Sequence, residues 1–211
     1  MAEKLMDKSC ADFTAVLASR APVPGGGGAA ALVGALGTAL CSMAGNLTLG
    51  KKKYAAVEPD IRRLLAEGES VRRRLLELAD MDAAAFEPLS RAYSIPKDDP
   101  SRAEVLEAAT LAACCPPMEM LEQTCRAVEL LEEMLEKGSV MMVSDVGCGA
   151  SCCRAALESA GLNVFINTRT LTDRNTARRL EEHADRLLAD YLPRAERITK
   201  EVTRRLRTPR E

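Results

Sequence analysis

Asp82 is the residue whose type and position most need explaining. On a helix turning about 100° per residue, the segment Ile61 to Leu89 puts Leu64, Gly68, Val71, Leu75, Leu78, Phe86 and Leu89 on one stripe. Asp82 falls near the middle of that stripe. A carboxylate among apolar side chains is costly unless it is paired, hydrogen-bonded or used. Two readings follow. In one, Asp82 is half of a buried salt bridge, with Arg91 or a lysine as the other half. In the other, it is a proton-transfer group whose pKa burial raises toward a useful range. Asp80, two positions earlier, falls almost opposite and groups with the solvated residues.

Four further groups could do chemistry. Gly25, Gly26, Gly27 and Gly28 precede a Gly/Ala-rich helix, so their N–H groups would lie at its positive end. Such an end can seat a carboxylate, phosphate or carbonyl oxygen, or the glycines can simply let helices pack closely. No Gly-Lys-Ser/Thr follows, and Phe13 to Ala18 reads as helix, so neither a P-loop nor a dinucleotide fingerprint fits. Lys51, Lys52, Lys53 and Tyr54 form either a solvated basic cap at that helix's C-terminus or an anion site. In the second case Tyr54 would stack or shuttle a proton. Ser144 and Asp145 read as a helix cap or as polar groups aimed at a ligand. Asn163 and Asn167, four apart, share a face if their segment is helical. The single histidine, His183, lies among Glu182, Asp185 and Arg186 and reads as surface, which makes a His-dependent triad a poor fit.

The elements that position these groups read as helices throughout. The chain of 211 residues is 47% hydrophobic and 28% charged, enough for one large packed domain over 1–211. Aromatics are 3%, there is no Trp, and Ala and Leu dominate, which suits close-packed helices better than a β-sandwich. The expectation is a single all-α domain of six to eight helices around a central Gly/Ala-rich helix from about Ala29 to Thr48. A short helix around Phe13, Val16 and Leu17 precedes it, and a long one runs from Pro59 to about Tyr93 with a kink near Pro88. Ser101 and Glu104 suggest a capping box for a helix ending at Pro116-Pro117. Another would run from Met118 to Lys137 and stop at Gly138. A helix capped by Ser144-Asp145 would close at Gly161. Asn163 to Leu171 fits strand or helix, and Thr172-Asp173 opens a charged C-terminal helix containing Pro193.

A formal net charge of −2 gives no electrostatic case for nucleic acid or an anionic membrane. The uncharged stretch Ala21 to Gly50 is long enough for a membrane span, but its two prolines, four consecutive glycines and Asn46 favour a buried helix. Eight cysteines include no C-x-x-C pair, so they read as reduced apolar fillers in a cytoplasmic protein. Cys148, Cys152 and Cys153 are the one cluster that could hold a metal.

Taken in order, several segments resemble the cyclodeaminase/cyclohydrolase family. They are Pro22-Val-Pro-Gly-Gly-Gly-Gly28, Asn46-Leu-Thr-Leu-Gly-Lys-Lys-Lys-Tyr54, Asp80-Met-Asp-Ala-Ala-Ala-Phe86, Ile95-Pro-Lys97, Ser144-Asp145 and Asn163-Val-Phe-Ile-Asn167. The resemblance covers essentially the whole chain. It implies a helical subunit that forms a homodimer and binds a tetrahydrofolate derivative, polyglutamylated or not, with no metal and no cofactor beyond that substrate. The reaction implied is hydrolysis of the 5,10-methenyl bridge to 10-formyltetrahydrofolate. The alternative is closure of 5-formiminotetrahydrofolate with release of ammonia, and a third reading is a folate-binding module without catalysis. Catalytic roles would fall to Asp82, Lys52 and Tyr54. Substrate contacts would fall to Gly25, Gly26, Gly27, Asn46, Lys51, Lys53, Asp80, Ser144, Asp145, Asn163 and Asn167. The Lys-Lys-Lys-Tyr form resembles the stand-alone cyclohydrolases. Two features depart from the pattern: Gly28 replaces a serine, and the segment after Asp145 is rich in cysteine.

Overall fold

The computed structural model describes residues 4–208; the ends of the domain expected over 1–211 therefore lie outside the described residues. Among these, six α-helices carry the fold and no strand occurs: α1 (Cys10–Leu17), α2 (Gly26–Asn46), α3 (Glu58–Tyr93), α4 (Arg102–Lys137), α5 (Val143–Thr168) and α6 (Arg174–Arg207). A short 3₁₀ turn at Leu5–Asp7 precedes α1, and others at Lys52–Val57 and Val140–Met142 lie between α2 and α3 and between α4 and α5.

Helix α2 is central because α3, α4 and α5 all pack on it. Its small residues make that possible. Gly37 and Gly149 sit where α2 crosses α5, and a Cβ on Gly37 would lie 2.8 Å from the Gly149 carbonyl oxygen. Side chains at either position would force the helices apart. Helices α2, α4 and α6 run one way and α3 and α5 the other. Gly34 meets Leu75, Thr124 and Ala156, while Gly161 of α5 meets Leu188 of α6. The core between them is filled by Ile61, Leu64, Leu75, Leu78, Leu121, Leu130, Leu131 and Leu157. Long-range pairs Arg63–Glu133, Arg74–Glu119 and Arg126–Glu67 tie α3 to α4, and Arg194–Glu132 ties α6 to α4. These pairs are partly exposed and fix register more than they add stability.

Several boundaries differ from the expectation. The two helices expected on either side of Pro116-Pro117 are one, α4, with both prolines buried inside it. Proline removes an intrahelical hydrogen bond but does not end a helix whose freed carbonyls find other partners. The Ser101–Glu104 capping box does not form: Ser101 Oγ donates to Asp99 Oδ1 instead. Ser144 and Asp145 do not cap α5, because the helix starts at Val143 and they lie in its first turn. Gly161 does not close that helix. It is a close-packing point, since a Cβ there would lie 2.9 Å from Leu188 Cδ1. The ambiguous Asn163 to Leu171 segment is helical as far as Thr168. Asp173 does cap α6, accepting from the Asn175 and Thr176 N–H groups.

Helices Gly26–Asn46 and Val140–Thr168 are long and apolar enough by length and composition to cross a membrane. Most of the α2 window is buried, as for the core helix of a bundle. All eight cysteines are free. Cys41, Cys114, Cys125 and Cys153 are buried, and burial pushes the first three thiols up to about 12.

Candidate active site

The first turn of α2, the C-terminal third of α3 and the last turns of α5 meet around a cleft of about 340 Å³. Asp82 lies in it with Gly25, Gly26 and Gly27, facing Asn163 and Asn167 across walls of Phe86, Leu89, Tyr93 and Ile166. The expected stripe on α3 is real: Leu64, Gly68, Val71, Leu75, Leu78 and Leu89 are buried. Asp82 continues that face and is half-buried.

Among the described residues no cation pairs with Asp82. Arg91, the partner suggested for it, instead bonds to Glu87 at the surface. Burial, opposed only by the Gly28 N–H, pushes the Asp82 carboxyl from 3.8 up to about 6. Its seat is shaped by glycine. A Cβ on Gly27 would lie 2.6 Å from the Asp82 carboxyl carbon, so only glycine leaves room for the carboxylate against the α2 backbone. The same N-terminus supplies positive dipole. A half-buried carboxyl titrating near 6, open to a cleft, can both take and return a proton near neutral pH.

Asn163 and Asn167 do share a face of α5 and both reach the cleft. Each amide is anchored. Asn163 Nδ2 donates to the Ser159 carbonyl at 2.8 Å, and Asn167 Nδ2 donates to the Ala113 carbonyl of α4 at 2.8 Å. A Cβ on Gly26 would meet Asn163 Nδ2 at 3.2 Å, so loop and amide are in close register.

The other nominated residues lie elsewhere. Asp80 does not enter the cleft; it accepts a 2.7 Å hydrogen bond from the Leu5 N–H and holds the N-terminal 3₁₀ turn on α3. Asn46, Lys51, Lys52, Lys53 and Tyr54 sit at the opposite end of α2, roughly 30 Å away at 1.5 Å per residue. There Lys51 Nζ bonds to Ser139 Oγ at 3.2 Å, and the Tyr54 hydroxyl accepts from the Val140 N–H at 3.1 Å. That bond is the chief reason the Tyr54 hydroxyl titrates below its ordinary value. Lys53 stacks over the Tyr54 ring, 5.7 Å from its centre. Ser144 and Asp145 follow in the adjoining first turn of α5, where the Ser144 hydroxyl donates to the Asp145 carboxylate. The nominated residues thus form two groups, one at each end of α2. His183 is on the surface against Glu122, as its neighbours suggested. Among the described residues no three His, Cys, Asp or Glu side chains gather closely enough to hold a metal ion.

Sequence reasoning put Phe86 and Leu89 beside Asp82 but did not find Tyr93, Ile166 or the Ala113 carbonyl. Pro117 was the available signal: without an N–H it cannot bond the carbonyl four residues back, so that group had to find a partner elsewhere.

Fold and cleft together define a class: a helical subunit in which a glycine-seated, unpaired carboxyl faces two anchored amides. Residues 9–186 match the family profile described as Formiminotransferase-cyclodeaminase, and the chain belongs to that family. It is 40% identical over 190 residues to a methenyltetrahydrofolate cyclohydrolase of Methylorubrum extorquens, covering 88% of this chain and 91% of that one. It is 31% identical over 175 residues to the formimidoyltransferase-cyclodeaminase of Mus musculus, 81% of this chain but only 32% of that longer protein. The crystal structure of a formiminotetrahydrofolate cyclodeaminase from Thermotoga maritima superposes with a TM-score of 0.83 at 28% identity, covering 94% of this chain and 99% of that one.

Proposed function

We propose that this chain is a folate one-carbon enzyme that hydrolyses 5,10-methenyltetrahydrofolate to 10-formyltetrahydrofolate, with Asp82 as its acid/base. One observation carries this reading: Asp82 stands in a cleft with no counter-cation among the described residues, seated by Gly27 and raised to about 6 by burial. The 40%-identical relative is named a cyclohydrolase, which favours water over ammonia chemistry, against a 28%-identical structural match named a cyclodeaminase. Near pH 7 Asp82 is largely ionised. It takes a proton from water as the oxygen adds to the bridging carbon. The tetrahedral carbon then collapses: its C–N5 bond breaks, N5 receives the proton from Asp82, and the hydroxyl proton leaves to solvent. This chemistry calls for no metal and no cofactor beyond the tetrahydrofolate substrate.

The reading extends to a homodimer in the cytoplasm. Leu36, Met43 and Leu47 form an exposed apolar stripe along α2, and Leu162 and Ile166 continue it on α5. A second copy packed antiparallel on α2 would cover that stripe. It would also carry its Lys51, Lys52, Lys53 and Tyr54 toward the first copy's Asp82 cleft, giving the basic group access to a substrate's glutamate tail. The direct test is an absorbance assay of the purified protein with methenyl- and formimino-tetrahydrofolate in parallel. Faster loss of the methenyl chromophore than in buffer is expected. Turnover of the formimino compound alone would replace this reading by the cyclodeaminase one.

A further inference from the structure

Pro116 and Pro117 interrupt the hydrogen-bond ladder of α4 beside the cleft, and the interruption is asymmetric. The carbonyl that Pro116 leaves free belongs to Ala112, an exposed residue. The carbonyl that Pro117 leaves free belongs to buried Ala113 and needs a protein donor. Asn167 supplies it at 2.8 Å.

This fixes the polarity of an amide. A carbonyl only accepts, so Asn167 must turn its NH₂ toward Ala113, and its Oδ1 is left as the free acceptor. The Ser159 carbonyl orients Asn163 in the same way. Among the described residues nothing donates to either Oδ1. The two side chains stand one helical turn apart on α5, and both line the cleft that Asp82 also lines.

We infer that Asn167, oriented by the carbonyl that Pro117 frees, is a specificity-determining residue that accepts from N–H donors on one edge of the ligand, with Asn163 beside it. Resting on the folate reading above, the edge of matching chemistry is that of the pterin ring, whose 2-amino group and neighbouring ring N–H are adjacent donors. Pro117 thereby acts on recognition without lining the cleft. An Asn amide free to turn over would present NH₂ to those donors half of the time; the clamped one always presents oxygen. A site built to accept from an N–H discriminates against analogues that lack it.

The test separates this role from a structural one. Asn167→Leu alone orphans a buried carbonyl and lowers the melting temperature. Adding Pro117→Ala restores a helix N–H to Ala113, so the double variant should melt close to wild type. Each protein is assayed with 5,10-methenyltetrahydrofolate and with its 2-desamino-2-methyl analogue. Wild type should show a KM about tenfold lower for the amino compound, the scale of one lost hydrogen bond. The double variant should show nearly equal KM values for both. Pro117→Ala alone, which unclamps the amide, should fall between. A stable double variant that keeps the wild-type KM ratio overturns the inference. A wild type that turns over neither methenyl- nor formimino-tetrahydrofolate overturns the folate reading and this inference with it, and shows it before any variant is made.

Discussion

The two ends of α2 obey one electrostatic rule and reach opposite outcomes. At its N-terminus the positive helix end faces a carboxylate, Asp82; at its C-terminus the negative end is followed by three lysines. Charge sign is therefore complementary at both ends. Burial is not. Asp82 lies among apolar walls with no counter-cation among the described residues, and its carboxyl is displaced to about 6. Lys51, Lys52 and Lys53 are exposed, and Lys51 is satisfied by a serine hydroxyl. A perturbed group marks where chemistry is poised, while the exposed cluster is suited to holding an anion.

The largest expected effect breaks that contrast at its centre. Asp82→Asn should lower kcat by roughly a hundredfold or more, the scale of a proton-transfer group, with the fold intact by circular dichroism. Wild-type kcat/KM should fall as pH drops through about 6, where Asp82 takes up its proton, and this limb should vanish in the variant. The sign for stability is opposite to that of a salt bridge. A carboxyl raised from 3.8 to about 6 favours the folded state below 3.8, and that advantage is lost as pH rises to about 6. At pH 7.5 Asp82→Asn should thus melt higher than wild type by the equivalent of about 2 kcal/mol, allowing for the part of the carboxyl that solvent reaches. A lower melting point at pH 7.5 would restore the salt-bridge reading.

Gly27→Ala comes next. Its Cβ would overlap the Asp82 carboxyl, and the carboxylate must rotate away or α2 must shift. Kinetic assay should show kcat reduced by about tenfold or more, with a smaller change in KM. Unchanged kcat would show that the seat of Asp82 does not matter to its chemistry.

How far each end was legible follows from what the sequence can encode. Asp82 was readable because helical periodicity places it on the stripe of Leu64, Val71 and Leu75, and that stripe is buried as expected. Asn163 and Asn167 were readable as a pair, conditional on a helix that does form. That the glycines and the lysines flank α2 at opposite ends was readable; which end Asp82, Asn163 and Ser144 would join was not, since motif order along a chain does not say how distant helices pack. Nor was the continuity of α4. Local propensity stops a helix at Pro116-Pro117, and only the tertiary partner Asn167 of the Ala113 carbonyl explains why it continues. Ser101–Glu104 failed for a related reason: Asp99, two residues upstream, captured the Ser101 hydroxyl first.

The contrast sharpens if each cleft is completed by the other end of a partner's α2. Lys52→Ala should then raise KM severalfold, and more for polyglutamylated than for monoglutamyl substrate. Lys52→Ala/Tyr54→Phe should be strongly impaired. Mixing that double variant with Asp82→Asn, after denaturation and refolding together, should recover roughly a quarter of wild-type activity, because half of the dimers would carry one intact site of two. No recovery, in refolded samples shown by light scattering to be dimers, would confine the site to one subunit.

Asp80→Asn should show the smallest effect. Asp80 and Asp82 are two residues apart in one motif, yet the 200° between them on α3 sends only Asp82 into the cleft. Asp80 accepts the Leu5 N–H at 2.7 Å and is half-buried under the N-terminal turn. Asparagine keeps an acceptor oxygen there but loses the charge that strengthens the bond, so about 1 kcal/mol of stability should go. Turnover should stay within about twofold, and the limb near pH 6 should not move, because it belongs to Asp82. Stability is read by thermal melting and turnover by the methenyl absorbance assay. Loss of turnover at Asp80 comparable to that at Asp82, with the melting temperature unchanged, would mean that the substrate reaches the far face of α3, and the single-cleft account of this end of the molecule would have to be abandoned.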